Sequence, residues 1–481
     1  MREKIIIYWH RQDLRLEDNQ ALNWATSQGV VIPLYINDQQ LLDDMYIGEA
    51  QKWWLHHSLL SLQKAYHQHK IELILRSGEP KKLLEALLQE AQSAVITWNR
   101  CYDPQSIARD MQLKEYFTAK GIQVKTFNSS LLTEPSKILN KTSGFYKVFT
   151  PYWKNCLQVI EVADLLPVPK LTASLQKIAT ENLDDWKFLP THPNWAAGFS
   201  EYWQPGAQGA HDKMDLFLKN AVSGYHEKRD IPGVVGTSQI SPHLKFGEIG
   251  PRQIWYAVYK IAEKSSHTKD IDRYLAELGW REFSYYLLFH FPQLMNKPFN
   301  PNFAAFPWVT NETHLKAWQK GMTGYPMVDA GMRQLWHTGW MHNRVRMIVG
   351  SFLTKHLLVS WQKGAEWFLY TLVDADIANN CASWQWVSGS GADAAPYFRI
   401  FNPIMQGEKF DPQGQYIRKW IPEIGNLPDK YIHSPWEASK ELLAKCNVIL
   451  GTTYPKPIVD HSKARNMALE SYEEIKNKPD L

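Results

Sequence analysis

The chain has 481 residues, 53 Lys plus Arg against 49 Asp plus Glu and a formal charge of +4, which excludes disordered, collagen-like and small disulfide-scaffold classes. At ~150 residues per domain the length predicts two or three domains, each large enough to bury a core. The 21 Trp, beside 22 Tyr and 19 Phe, predict large packed helical interfaces, a flat aromatic ligand, or both.

In chain order, β-rich runs at Lys4–Trp9, Val30–Ile36, Ile71–Arg76, Ala94–Trp98 and Ile122–Phe127 alternate with helical spacing in Gly48–His69 and Pro80–Gln92. That alternation predicts an α/β amino-terminal domain, residues 1–130, with helices on both faces of a parallel sheet. After the first strand comes Arg11-Gln12-Asp13-Leu14-Arg15-Leu16-Glu17-Asp18-Asn19, where a dinucleotide fold would place G-x-G-x-x-G. Without glycines the backbone is not opened to a pyrophosphate at this turn, and the charged run reads as a structural ion-pair network. Residues 131–224 lose strand periodicity and carry Pro-, Ser- and Trp-rich stretches such as Leu165–Lys170 and Leu189–Trp195, predicting a connector wrapped over the surface. From Tyr225 onward, amphipathic patterns at Pro251–Lys264, Ile271–Phe291, Met327–Gly339, Arg344–Leu358 and Lys363–Ala378 predict a large all-helical domain, residues 225–481.

Cys101, Cys156, Cys381 and Cys446 are scattered without a C-x-x-C pair, so no metal site or disulfide framework is expected and a reducing compartment fits. The apolar run in MREKIIIYWH is too short for a secretory h-region, and no stretch of 18 apolar residues follows. The reading is a soluble, cytoplasmic protein without a membrane partner. A net +4 does not decide for or against nucleic acid, because a local cationic patch governs binding.

Four clusters can carry chemistry. Thr237-Ser238-Gln239-Ile240-Ser241, just before a helical run, is either an ordinary N-cap or a diphosphate cradle at a helix amino terminus. Glu277, Trp280 and Arg281 project to one side of a helix, as a plain i,i+4 ion pair or as a recognition surface for a planar heterocycle beside phosphate. Asn343, Arg344, Arg346 and Met347 form a third cluster, and Asp374, Asp376, Asn380, Trp384, Trp386, Asp393 and Arg399 a fourth. Arg346 with Asp374 is the candidate ion pair across helices, of a kind that more often serves a ligand or specificity than bulk stability. His342 reads as a structural histidine.

These residues lie in the strings TSQISPHLKFGEIGPRQIW, ELGWREF, TGYPMVDAGMRQLWHTGWMHNRVRM, DADIANN and WQWVSGSGADAAPYFRIFNPIMQGEKFDP. The strings resemble the photolyase/cryptochrome flavoproteins, most of all the microbial cyclobutane pyrimidine dimer photolyases. The resemblance runs from WHRQDLRLEDN to KWIPE. It implies a Rossmann-like α/β domain holding an antenna pigment and an all-α domain binding FAD in a folded, U-shaped conformation. It further implies light-driven electron transfer from reduced FAD to a dimer flipped out of UV-damaged DNA, ring opening, and return of the electron.

Carried over by position, the resemblance puts Tyr225, Thr237, Ser238, Gln239, Ile240 and Ser241 at the FAD diphosphate side, with Arg281, Asn343, Arg346, Asp374 and Asp376 also cofactor-binding and Asn380 facing flavin N5. A neutral amide there bonds a protonated N5 without adding charge. Glu277, Trp280, Asn343, Met347 and Trp386 match the lesion-contacting positions, and Arg344 and Arg399 are candidates for lesion-strand phosphates. Glu277, with a proton to share, is placed to stabilise negative charge developing on the dimer. Trp384, Trp361 and Trp308 match the electron-transfer chain from flavin to surface.

Two positions depart from the pattern. Gln239 stands where many relatives carry a basic residue, and Ala382-Ser383 stands where many carry a glycine pair. The Tyr102–Ser106 stretch lacks an Asn-Glu pair found in some folate-binding relatives, so methenyltetrahydrofolate, a deazaflavin or no antenna all stay open. A monomer is expected. A cryptochrome-like photoreceptor and a (6-4) photolyase are the alternatives, the second disfavoured because Asn343 and Met347 stand where that family has histidines.

Overall fold

The amino-terminal runs form a five-stranded parallel sheet: β1 Ile5–His10, β2 Val30–Asn37, β3 Ile74–Ser77, β4 Val95–Asn99 and β5 Gln123–Phe127. Their order is β3-β2-β1-β4-β5, with Ile7 of β1 in register with Ile32 of β2 on one side and Ile96 of β4 on the other. Strands β1 and β4 are buried throughout, which explains why they are mostly apolar without alternating: a strand covered on both faces has no polar side to alternate with. β3 starts later than its apolar run because the Ile71 amide is already taken by the Tyr66 carbonyl.

The computed structural model describes residues 4–44, 47–161, 164–262, 268–394 and 398–476. It divides into two units, the first comprising residues 1–223, 238–292 and 373–378 and the second residues 224–237, 293–372 and 379–481.

In the first unit, helices α1 Gln20–Gln28, α2 Glu49–His67, α3 Pro80–Glu90 and α4 Pro104–Ala119 connect the strands, and Trp9, Leu34, Leu84, Trp98 and Phe117 close the sheet core. The charged turn is the structural network its composition predicts. Buried Asp13 accepts from the Tyr8 hydroxyl at 2.6 Å, the Arg11 amide at 2.7 Å and Asn99 Nδ2 at 2.6 Å. Burial alone would raise its carboxyl, but these bonds and His10 hold it well below the usual range. Arg15 reaches the Gly247 carbonyl at 2.9 Å and Ser129 Oγ at 2.6 Å.

The stretch predicted as connector contains two packed helices, α5 Phe149–Val159 and α6 Ala207–Asn220. Helix α7 is Pro251–Ala262, and the predicted end at Lys264 lies outside the described residues. Helix α8, Thr268–His290, packs on α5 at Gly279, where a Cβ would fall 2.7 Å from the Trp153 ring. Only a glycine admits that contact.

The second unit is built on α9 Pro326–Thr338, α10 Asn343–Ser351, α11 Trp361–Thr371, most of α12 Ile377–Ser388, α13 Pro403–Phe410 and α14 His461–Lys476. Two predicted helices are corrected. The pattern Arg344–Leu358 is α10 followed by a π turn, Phe352–His356, and the pattern Lys363–Ala378 is two helices parted by extended backbone at Leu372. The helical periodicity gives way there because Asp374 and Asp376 bond side chains far away in the chain: Ser241 Oγ donates to Asp374 at 2.6 Å, and the Tyr285 hydroxyl donates to Asp376. No helix among the described residues is long and apolar enough to cross a membrane.

Candidate functional site

The predicted site residues fall into two groups, and the boundary between units passes between Thr237 and Ser238. In the first unit the loop Ser238–Ser241 leads into a short helix, Ser241–Lys245, with Pro242 in its first turn. Proline fits there because that N–H has no helical partner anyway. The Ser238 hydroxyl accepts from the Tyr274 hydroxyl at 3.0 Å, Gln239 adopts φ +52°, and Ile240 is buried. Lys213 of α6, whose ammonium burial weakens, donates to Gln239 Oε1 at 3.2 Å. A cation thus reaches this loop from another helix, although position 239 itself carries none.

Tyr285 gathers two more predicted residues. Its hydroxyl bonds Asp376, and the Arg281 guanidinium lies 5.0 Å from its ring centroid. Arg281 also donates to the Ser130 carbonyl at 2.8 Å. Glu277 has its Oε1 3.6 Å from Arg273, an i,i+4 pair one turn back from the predicted one. Trp280, partly exposed, stacks on Phe149 of α5 with centroids 3.9 Å apart and planes at 10°.

Glu282, beside these residues, was missed by sequence reasoning. It is 2% exposed and accepts from the Leu132 and Thr133 amides at 2.8 and 3.2 Å. Burial pushes its carboxyl up to about 7, outweighing the pull of Arg281 and the two amides.

In the second unit, α10 carries four predicted residues. Asn343 and Met347 are four apart and share a face, Asn343 exposed and Met347 partly buried. Arg344 pairs with Asp230 at 2.9 Å and lies 4.3 Å from the Phe410 ring. Arg346 Nε donates to the Met341 carbonyl at 2.8 Å; Arg346 belongs to this unit and Asp374 to the other. His342 is structural: its Nδ1 accepts from the Arg344 amide at 3.2 Å, capping α10, and burial pushes it down to about 4. Tyr225 is buried and Thr237 partly so.

Asn380 is buried and its Nδ2 donates to the Ala365 carbonyl at 3.1 Å. One Nδ2 hydrogen and the carbonyl oxygen are left to offer a ligand. Trp384 and Trp361 are buried and Trp308 is partly exposed. Trp384 packs edge-on to Phe368 at 4.9 Å and Trp318 at 6.2 Å. Trp386 Nε1 donates to the Asp393 carbonyl at 3.1 Å, and exposed Arg399 lies 4.6 Å from the Phe401 ring. Gly364, also missed, sits one turn after Trp361 against Trp384; a lone glycine inside a helical pattern was the available signal.

The donors fit FAD chemically: hydroxyls of Ser238 and Ser241 with the Lys213 ammonium suit a diphosphate, and the Asn380 amide suits the hydrogen-bonding edge of a flavin ring.

The sequence matches the family model for DNA photolyase over residues 6–171 and the model for the FAD binding domain of DNA photolyase over residues 274–474. It is 50% identical over 473 residues to the deoxyribodipyrimidine photo-lyase of Agrobacterium fabrum, covering 98% of each chain. It is 36% identical to cryptochrome-2 of Arabidopsis thaliana, covering 97% of this chain and 78% of that one. The structure matches that of a bacterial class III photolyase from Agrobacterium tumefaciens with a TM-score of 0.95 and 49% identity over 99% of both chains. The chain therefore belongs to the photolyase/cryptochrome family. It is an FAD-binding enzyme of that family.

Proposed function

We propose that this enzyme is a light-driven deoxyribodipyrimidine photo-lyase that splits cyclobutane pyrimidine dimers in UV-damaged DNA. The observation that carries the reading is Trp280, held flat against Phe149 while partly exposed, one helical turn from Glu277. A rigid aromatic platform beside a carboxyl suits a flipped pyrimidine pair, with stacking worth ~1–3 kcal/mol per base.

In this reading Trp280 and Trp386 make stacking or edge contacts to the lesion, Asn343 and Glu277 bond its polar edges, and Met347 packs against it. Glu277 also stabilises negative charge developing on the dimer. Arg344 and Arg399 meet phosphates of the damaged strand. FAD, when bound and reduced, supplies a light-excitable one-electron donor. Tyr225, Thr237, Ser238, Gln239, Ile240, Ser241, Arg281, Asn343, Arg346, Asp374 and Asp376 hold it, and the neutral Asn380 amide faces flavin N5. Trp384, Trp361 and Trp308 carry electrons inward from the surface.

Residues 1–130 form the antenna domain, for methenyltetrahydrofolate or a deazaflavin, residues 131–224 the connector and residues 225–481 the catalytic domain. The protein works as a cytoplasmic monomer. Likeness to cryptochrome-2 supports a second reading, a blue-light photoreceptor. Offering reduced protein a cyclobutane dimer, a (6-4) photoproduct and undamaged DNA under blue light separates the readings. Loss of the cyclobutane dimer alone is expected, and an unchanged dimer would refute the repair reading.

A further inference from the structure

Ser351 and Lys355 stand four residues apart where α10 runs into the π turn, and they are 0% and 2% exposed. Ser351 Oγ accepts from the Phe401 amide at 3.1 Å, and Lys355 Nζ donates to the Arg399 carbonyl. Two backbone groups of one short segment are thus satisfied by side chains from one turn of helix. The Lys355 ammonium also lies 4.4 Å from the Phe398 ring centroid, and Tyr472 of α14 stacks on that ring at 4.5 Å. Arg399, between these anchors, leaves its own guanidinium exposed over Phe401.

Lys355 borders a cavity of about 30 Å³ shared with Trp386, Phe398, Arg399 and Tyr472, and no carboxylate among the described residues lines it. Burial, then the charge of Arg399, pushes the Lys355 amine down to about 7. A methionine or leucine would fill this space without the desolvation cost of an ammonium. The lysine therefore does something that an apolar side chain cannot, and its geometry says what: it grips the backbone carbonyl of Arg399.

We propose that Lys355 is a positioning residue that holds the Phe398–Phe401 segment so that the Arg399 guanidinium projects toward a phosphate of the damaged strand. The proposal rests on the reading of Arg399 as a DNA contact. Flavin-loaded protein is titrated in the dark, at several salt concentrations, against a fluorescent duplex carrying one thymine dimer. Arg399→Ala weakens binding about tenfold and lowers the salt slope by about one phosphate. Lys355→Met reproduces both effects, adds nothing on top of Arg399→Ala, and leaves repair per absorbed photon unchanged at saturating DNA. Lys355→Arg, whose larger head the cavity admits, recovers wild-type affinity. If Arg399→Ala binds as wild type, the reading of Arg399 fails and the proposal with it. If Arg399→Ala weakens binding but Lys355→Met does not, or the two add, the reading survives and the proposal is overturned. Loss of flavin in both Lys355 variants also overturns it, by making Lys355 a core residue.

Discussion

Gly364 of α11 lies directly against the indole of Trp384: a Cβ at position 364 would fall 2.1 Å from Cη2 of that ring. Trp361 is one turn earlier on the same helix face, so the glycine sets how closely the helix bearing one chain tryptophan approaches the next. Gly364→Ala gains up to ~1 kcal/mol of helix propensity, but overpacking costs ~1–3 kcal/mol, and the steric effect wins. The variant melts below wild type, and its oxidised flavin photoreduces more slowly while pre-reduced protein still repairs. Trp308→Phe gives the same split without the loss of stability. Photoreduction at the wild-type rate in both, followed by flavin absorbance under blue light, would remove these tryptophans from the path.

Glu282 makes stability depend on pH. Burial pushes its carboxyl up to about 7 in the folded state from an ordinary 4.5, so the folded state binds the proton more tightly. Its contribution is fully present below pH 4.5 and is lost as pH rises through about 7, amounting to about 3 kcal/mol. Glu282→Gln keeps an acceptor for the Leu132 and Thr133 amides and removes the titration. Denaturant unfolding from pH 4.5 to 8 shows wild type losing stability relative to this variant as pH rises; parallel curves would contradict the assignment.

Trp280→Ala removes the platform that Phe149 supports. Affinity for dimer-containing DNA falls by ~1–3 kcal/mol, while affinity for undamaged DNA and flavin content stay as in wild type. Equal losses on both DNAs would show that Trp280 shapes the general DNA surface and not the lesion pocket.

Glu277→Ala is expected to lower repair per absorbed photon at saturating substrate and to leave FAD content intact. Its carboxyl both bonds the lesion and stabilises charge in the charge-separated step, so binding of damaged DNA weakens as well, while the loss of repair per photon persists at saturating substrate. Flavin loss matching the loss of repair would make Glu277 structural.

How much of this was legible in the sequence depended on how local the cause was. The strands were legible because sheet burial repeats along the chain, and the Arg11–Asn19 turn because charges lodged between strand and helix need partners. The break between α11 and α12 was not: apolar spacing continues through residues 373–378, and only Ser241 and Tyr285, over 90 positions away, reveal what Asp374 and Asp376 bond. Glu282 looked like any charged helix residue, since its burial comes from a segment 150 positions earlier. Lys213 supplies a cation at Gln239 across 26 positions, a compensation visible only after folding. The three chain tryptophans could be picked from 21 only through family resemblance, because indoles at helical spacing are ordinarily core filling.

The most direct test of the central claim is blue-light illumination of the purified, flavin-reduced protein with an oligonucleotide carrying one cyclobutane thymine dimer, following thymine absorbance against a dark control. Recovery of absorbance in the light and none in the dark is the predicted result. No recovery with flavin bound and reduced would contradict it and move the assignment to a photoreceptor or to another lesion.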